Sequence, residues 1–317
     1  MAVQSNLRGI PHVMDGLKPS QRKILFACLK RKLHHEIKVA QLAGYTSEHA
    51  AYHHGEASLN STIVNMAQDY VGSNNINILM PNGQFGTRLM GGKDDASPRY
   101  IFTQLNPITE MIFHPSDSEL YTYLEDDGQK IEPAFYLPVL PMLLVNGAAG
   151  IGTGWSTSIP PFNPLDIIDR LSNIITGKPV QPMTPWFRGF TGSVQAIPNA
   201  SKYLVFGKWS WSSARTLVIS ELPVGTWTNN YKEFLEKALD GQPPFKKEDV
   251  MSVQSNHTDT SVHFTIKFSA SLAEKLRQDE QLLIKKFKLV STVDTANMHA
   301  FDATGTMKKY RNELEIL

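Results

Sequence analysis

The stretches Pro19 to Lys32, PSQRKILFACLKRK, and Glu56 to Tyr70, EASLNSTIVNMAQDY, decide how the first third of this chain folds. In the first, Leu25, Cys28, Leu29 and Lys32 recur at helical spacing behind a proline, a residue that a first helical turn accepts. One face is apolar and the opposite one basic. In the second, Leu59, Ile63, Met66 and Tyr70 recur at intervals of four, three and four, which predicts a helix over 56–70. Between them a short helix from Lys38 to Ala43 is expected to stop at Gly44. Short helix, connection and longer helix is the order that places a recognition helix in a major groove, although Tyr45 to Gly55 is longer than a compact helix-turn-helix uses.

Downstream, Gly72 to Asn75 reads as a turn and Ile76 to Leu79 as a short strand. The loop from Asn82 to Lys93 is studded with glycines, which let a backbone approach something closely; phosphate is the expected neighbour. Then comes Ala96 to Phe102, ASPRYIF. A tyrosine hydroxyl, with a reference pKa of about 10, attacks phosphorus well only when a base or nearby cations favour the phenolate. Arg99 is placed to help, because its guanidinium stays charged and grips phosphate oxygens in pairs. Followed by Ile101 and Phe102, Tyr100 also reads as a buried strand residue serving packing.

The surrounding charge favours the first reading. From Lys18 to Lys38 the basic residues are Lys18, Arg22, Lys23, Lys30, Arg31, Lys32 and Lys38, with Glu36 the one acid. Residues 1–100 hold eleven Lys and Arg against seven acids, a local excess of +4 in a chain whose total is +1. Six of the ten histidines lie there too. Such a patch suits a phosphate backbone, where each neutralised phosphate releases counterions; a solvated helix face is the bland alternative.

Composition narrows the field further. With 317 residues and 41% apolar content the chain can bury one large core or two modest ones. Its single cysteine, Cys28, forbids an internal disulfide, fits a reducing compartment and argues against a thiolate zinc site. The apolar run from Phe135 to Val145 is interrupted by Pro138 and Pro141 and is too short to span a bilayer. No signal peptide is evident, and both ends read as cuts in a longer polypeptide, the one at Leu317 at the start of a helix. His53 and His54 read as a hydrogen-bonding pair more readily than as a metal site, since no cysteine or suitably spaced carboxylate accompanies them. Glu125-Asp126-Asp127-Gly128 reads as a solvated turn.

Beyond about residue 130 the texture becomes mixed α and β. Val139 to Val145 is a candidate buried strand, and Leu165, Ile168, Leu171 and Ile175 mark an amphipathic helix ended by Gly177. Thr216 to Ser220 reads as a strand. Val262, Phe264, Ile266 and Phe268 alternate strictly, as in a half-buried antiparallel strand. Ala270 to Phe287 reads as helical. The change of texture implies a second domain beginning near residue 140.

Long runs then point to one family. RGIPHVMDGLKPSQRKILF from Arg8, KVAQLAG from Lys38, AYHHGEASL from Ala51, DYVGSNNINILMPNGQFGTR from Asp69, GGKDDASPRYIFT from Gly91, VNGAAGIGTGWSTSIPPFNP from Val145 and PWFRGFTG from Pro185 resemble the breakage-reunion region of eukaryotic-type type IIA DNA topoisomerases. SELPVGTWT from Ser220, FKLVSTVDTANMHAFD from Phe287 and MKKY from Met307 carry the likeness to the end of the chain. It implies an α+β fold: a winged-helix, helix-turn-helix-like domain over residues 1–140, an α/β tower domain with a mixed, largely antiparallel sheet over 141–305, and the start of a coiled coil over 306–317.

The resemblance also implies roles. Tyr100 matches the nucleophile that joins a DNA 5′ phosphate, Arg99 its charge-stabilising neighbour, and His54 a histidine contributing to the transition state. Arg8, Lys18 and Arg22 match basic residues near the DNA, with Asp15 in the same motif. Ile151, held between glycines, matches an apolar wedge that enters between base pairs, as in other bent-DNA complexes; a core residue of a hairpin is its alternative reading. Ala149 departs from the family, which usually carries glutamate there. The function implied is ATP-dependent double-strand cleavage, strand passage and religation by a nuclear homodimer. Mg2+ and ATP would be bound by regions outside this chain, so that the fragment alone would be inactive. The alternatives are a non-catalytic helix-turn-helix DNA-binding protein and a bacterial gyrase-type subunit.

Overall fold

The computed structural model describes residues 2–317. Four helices build the first part: α1 (Ala2–Gly9), α2 (Pro19–Arg31), α3 (Val39–His49) and α4 (Glu56–Ala67). Helix α2 buries Ile24, Leu25 and Cys28 and ends at Lys32, a left-handed residue whose N–H reaches back to the last turn. The expected short helix is longer than its sequence pattern marks. It continues through Gly44 to His49, since Gly44 meets open space and a helix interior tolerates one glycine for about 1 kcal/mol. Helix α4 conversely stops at Ala67, before Tyr70, because the Gln68 side chain turns away to donate to the carbonyls of Phe85 and Gly92.

A two-residue antiparallel pair, β1 (Ile37–Lys38) with β2 (Phe102–Thr103), ties the approach to α3 to the segment after Tyr100. Ile76 to Leu79 is not a strand: it makes only an isolated bridge from Leu79 to Leu105 and bonds to neighbouring loops. After α5 (Thr109–Ile112) come the hairpin β3 (Tyr123–Asp126) and β4 (Gln129–Pro133), then α6 (Met142–Asn146). The apolar run that reads as a strand is therefore a helix started by Pro141, with Val139 left 64% exposed. A short apolar run carries no period that separates the two.

Hairpin β5 (Ala148–Ile151) and β6 (Ser156–Ile159) precedes α7 (Pro164–Ile175), capped by the Asn163 side chain. Helix α7 lies where the spacing predicts, but Ile167 is its fully buried residue, while Leu165, Ile168 and Ile175 are exposed. Strands β7 (Ser193–Ala196), β8 (Lys202–Phe206), β9 (Lys208–Ser213) and β10 (Thr216–Glu221) lead to α8 (Thr228–Leu239), β11 (Val250–Ser255) and β12 (Phe264–Phe268). The main sheet has the order β11-β12-β10-β9. The predicted Ala270 to Phe287 helix is two, α9 (Ala270–Gln278) and α10 (Glu280–Lys286), broken at Asp279, whose extended backbone lets its carboxylate cap Leu282. Strand β13 (Val290–Asp294) joins β8 and β7, and β14 (Met298–Phe301) pairs with β15 (Met307–Tyr310). Where a helical onset is expected, the chain thus runs as a strand followed by a 3-10 turn over Glu313–Glu315.

The fold is α+β, and every pairing between these strands is antiparallel. One hydrophobic core begins at Leu17, runs through α2, α3, α4, α6 and Met183, and is rejoined by Met298 and Tyr310. A second, built from residues 217–289, lies between the main sheet and α8, α9 and α10. A buried ion pair of Arg88 with Glu221 links the glycine loop to β10.

Candidate functional site

The loop bearing Tyr100 is pinned on both sides. Val39 and Ala40, the first residues of α3, donate their N–H groups to the carbonyls of Ile101 and Pro98 at 3.0 and 3.1 Å. Asn82 and Phe102 exchange two backbone bonds of 3.1 and 3.0 Å. Ile101 is buried in the core, and a methyl on Gly83 would press on it. Tyr100, one residue earlier, is 67% exposed, and the Arg99 guanidinium lies 5.0 Å from its ring centre. An exposed phenol on a pinned loop with a guanidinium beside its ring is suited to attack on a phosphodiester.

The glycines of the preceding loop face protein. A Cβ on Gly91 would collide with the Trp227 indole, one on Gly86 with Gly92, and one on Gly92 with Gln68 and the Tyr70 hydroxyl. Asp94 closes the loop by accepting from the Thr87 N–H at 2.8 Å and the Thr87 hydroxyl at 2.6 Å. Close approach is real, and what approaches at each of these glycines is protein: Trp227 at Gly91, and Gly92, Gln68 and Tyr70 at the others.

Arg8, Arg22 and His54 line one cavity of about 700 Å³, together with Lys23, Glu132 and His12; neither Arg99 nor Tyr100 lines it. His54 is exposed just before the N-terminus of α4, edge-on to the buried Tyr52 ring at 5.4 Å. Arg8 is exposed at the end of α1. Arg22 differs from what its charge suggests. It is buried, and its guanidinium grips Asp15 at 2.8 and 3.1 Å. Asp15, fully buried, also accepts the N–H groups of Leu17 and Tyr136. Arg22 is therefore occupied inside the protein, since a neutralised and desolvated guanidinium offers little to a phosphate.

Lys18 donates to the Ala149 carbonyl at 2.7 Å, and partial burial pulls its ammonium below the ordinary lysine range. That bond joins the α2 N-cap to β5. Helix α1 meets the same hairpin backbone to backbone: a Cβ on Gly150 would overlap the Gly9 carbonyl, and one on Gly9 the Ile151 carbonyl. At the end of β5, Ile151 is 84% exposed. The contact of Lys18 with Ala149 is to a backbone oxygen, so it does not depend on the side chain at 149.

Residues overlooked by sequence reading are the supports. Lys23 bonds Glu132 at 2.9 Å in the cavity wall, and Asn82, through its bonds to Phe102, and the buried Ile101 hold the loop that carries Tyr100. The Asn82-Gly83 pair is their one visible signal. Among the described residues no group of three His, Cys, Asp or Glu side chains could hold a metal ion, and no helix is long and apolar enough to cross a membrane.

The family model for the A-type subunit of DNA gyrase/topoisomerase IV matches residues 8–317. The chain belongs to this type II topoisomerase family. DNA topoisomerase 2 of Candida albicans is 50% identical over 317 residues, 100% of this chain and 21% of that protein. The enzyme of Saccharomyces cerevisiae is 48% identical, with 100% and 22% covered, and that of Arabidopsis thaliana 49%, with 98% and 21%. The chain spans about a fifth of the length of these curated relatives. The crystal structure of the Plasmodium falciparum topoisomerase II DNA-binding, cleavage and re-ligation domain superposes with a TM-score of 0.93 at 46% identity, covering 99% of this chain and 42% of that one. Eukaryotic topoisomerase 2 relatives over the full chain favour the eukaryotic form over a bacterial one, and a cleavage domain over a non-catalytic DNA-binding module.

Proposed function

We propose that this chain forms half of the DNA gate of an ATP-dependent type II topoisomerase, residues 1–140 carrying the cleaving loop and 141–305 a supporting tower whose ends, through α6, Met183 and Met298, share the core of the first part. The observation that carries this is Tyr100, exposed beside Arg99 on a loop whose next residue is buried. The Tyr100 Oη attacks a backbone phosphorus of duplex DNA, forming a P–O bond to the 5′ side and breaking the bond to the 3′ oxygen. The phenol proton leaves and the 3′ oxygen takes one up, so the ester conserves the bond energy and the reverse attack reseals the strand. Arg99 offsets charge gathering at phosphorus. His54, exposed in the cavity wall, contributes to the transition state and Arg8, in the same wall, holds the flanking backbone; Lys18 braces the β5 hairpin that presents Ile151 to a base step. Arg22 keeps the cavity wall in place through Asp15.

The described residues form no metal cluster, and the glycine loop is closed by protein. Mg2+ and ATP belong to other parts of the full-length enzyme, and no step assigned to these residues runs through them. The working unit is a pair of such subunits on double-stranded DNA in the nucleus, and the fragment alone binds duplex without cutting it. Tyr100→Phe in the full-length enzyme is expected to abolish the denaturant-resistant protein–DNA adduct while leaving duplex affinity and melting temperature nearly unchanged. Adducts at normal yield in the variant would exclude Tyr100.

A further inference from the structure

A second concavity, of about 540 Å³, lies far along the chain from the cleaving loop, where α8 and α10 end side by side. Its floor is apolar: Phe234 and Ala238 from α8, Phe245 from the following loop and Leu282 from α10, the last 38% exposed. Four lysines surround that floor, Lys237, Lys285, Lys286 and Lys288. Among the described residues, Lys286 alone of the four has a carboxylate partner, Asp249 at 3.6 Å. The other three have no carboxylate within 4 Å among the described residues, and no acidic side chain lines the concavity.

Helix ends explain part of this charge and not all of it. Each helix C-terminus carries about −0.5 of a charge, so two of them leave most of the excess of three standing. Lys288 moreover holds a left-handed backbone, φ +51°, a conformation that disfavours a lysine and suits glycine. Its ammonium lies 4.4 Å from the Phe234 ring centre, and that of Lys286 lies 4.7 Å from the Phe245 ring centre. Both rings thus already have a cation on one face.

We propose that this concavity is a docking site for an acidic peptide segment that inserts one apolar side chain. The apolar floor gains from burying a side chain, while the lysine rim selects carboxylates and steers their approach. Nucleic acid fits less well. A phosphate backbone has nothing to place on an apolar floor, and the Phe245 ring, 5% exposed, offers no open face for a base to stack on.

The test uses the 317-residue chain and three fluorescein-labelled probes: an Asp/Glu peptide with one central Phe, the same peptide with Ser for Phe, and a DNA duplex of similar charge. Binding is followed by anisotropy at about 50 mM salt, where surface charges are weakly screened. The Phe peptide is expected to bind about tenfold more tightly than the Ser peptide, as for a well-placed apolar anchor. The triple variant K237E/K285E/K288E, which spares the paired Lys286, should lose about tenfold or more in affinity for it with the melting temperature retained. Leu282→Ser should weaken the Phe peptide and not the Ser peptide. No binding of the Phe peptide, equal binding of both peptides, or equal affinity in the triple variant would overturn the proposal. So would loss of duplex binding, and not of peptide binding, in that variant, which would make the rim a DNA contact. None of these readouts depends on Tyr100, so DNA cleavage in the full-length enzyme is tested separately.

Discussion

Truncating Ile151 to alanine separates a wedge from a packing residue in one protein. Fully burying an isoleucine is worth about 1.5–3 kcal/mol, and Ile151 is 84% exposed, so its remaining contact contributes only about 0.2–0.5 kcal/mol to folding. A core isoleucine would instead lose about 2–5 kcal/mol on truncation. If the side chain enters an opened base step, losing three carbons at about 0.8 kcal/mol each forfeits roughly 2 kcal/mol of the offset against unstacking. That is about thirtyfold in the equilibrium between bent and straight DNA. The assay pairs energy transfer across a doubly labelled duplex bound to the full-length enzyme with thermal melting of the same preparation. Expected are a large fall in the bent fraction and a change in melting temperature under about 2 °C, given roughly 2–4 °C per kcal/mol in domains of this order. Normal bending with a fall of roughly 5 °C or more would refute the reasoning and make Ile151 a packing residue.

Asp15→Ala should cost about 3–5 kcal/mol in urea unfolding, because it strands the buried Arg22 charge and two backbone donors; a loss below about 1 kcal/mol would show that the pair is not the brace described. Burial holds the His12 imidazole below its ordinary value, opposed by the pull of Asp15. The folded form therefore gives up the proton more readily than the unfolded chain, so this contribution is complete above about pH 6.5 and is lost as the pH falls toward the folded value. His257 and His299 are lowered in the same direction, so His12→Gln should reduce the slope of stability against pH between about 7 and 5 without abolishing it; an unchanged slope would dismiss His12. For duplex DNA, Arg8→Ala should lower the slope of log affinity against log salt by about 1, while Lys23→Met should leave it unchanged because Lys23 is held by Glu132. Equal effects would mean that Lys23 reaches phosphate after all.

Periodicity locates α2, α4 and the strand β12 because each turns a patterned face toward the core, and it locates α7 although Leu165, Ile168 and Ile175 of its pattern are exposed. It misreads Val139 to Val145, where apolar residues continue on every side and only Pro141 hints at a helix start. It misses the break at Asp279, where a side-chain cap does what no hydrophobic pattern records. The glycine loop shows the same limit. Spacing reveals that something approaches the backbone closely, but the partner of Gly91, Trp227, lies far along the chain and is chosen by tertiary packing. Charge is the least legible signal. Seven basic residues between Lys18 and Lys38 read as one patch, yet Arg22 and Lys23 are committed to Asp15 and Glu132, and Lys30 and Arg31 lie over the rings of Phe26 and Tyr45. A tally counts charges that the fold has already neutralised or tethered.

Why Tyr100 could be buried or exposed on its sequence and is exposed in the structure is a matter of register. Tyr100, Ile101 and Phe102 form a short apolar run in which any member could face the core, and successive residues of an extended segment face opposite ways. The choice is made outside the run, by pairing Ile37 with Thr103 and Lys38 with Phe102 and by the bond from the Val39 N–H to the Ile101 carbonyl. With that pairing Ile101 and Thr103 turn inward, and Tyr100 is left outside before the strand begins. A slip of one residue would bury the phenol and expose Ile101. The slip is opposed by the two bonds between Asn82 and Phe102 and by Gly83, which lets Ile101 press against the loop where a side chain would not fit. The exposure of Tyr100 thus follows from contacts made elsewhere, by Ile37, Lys38, Val39, Asn82 and Gly83.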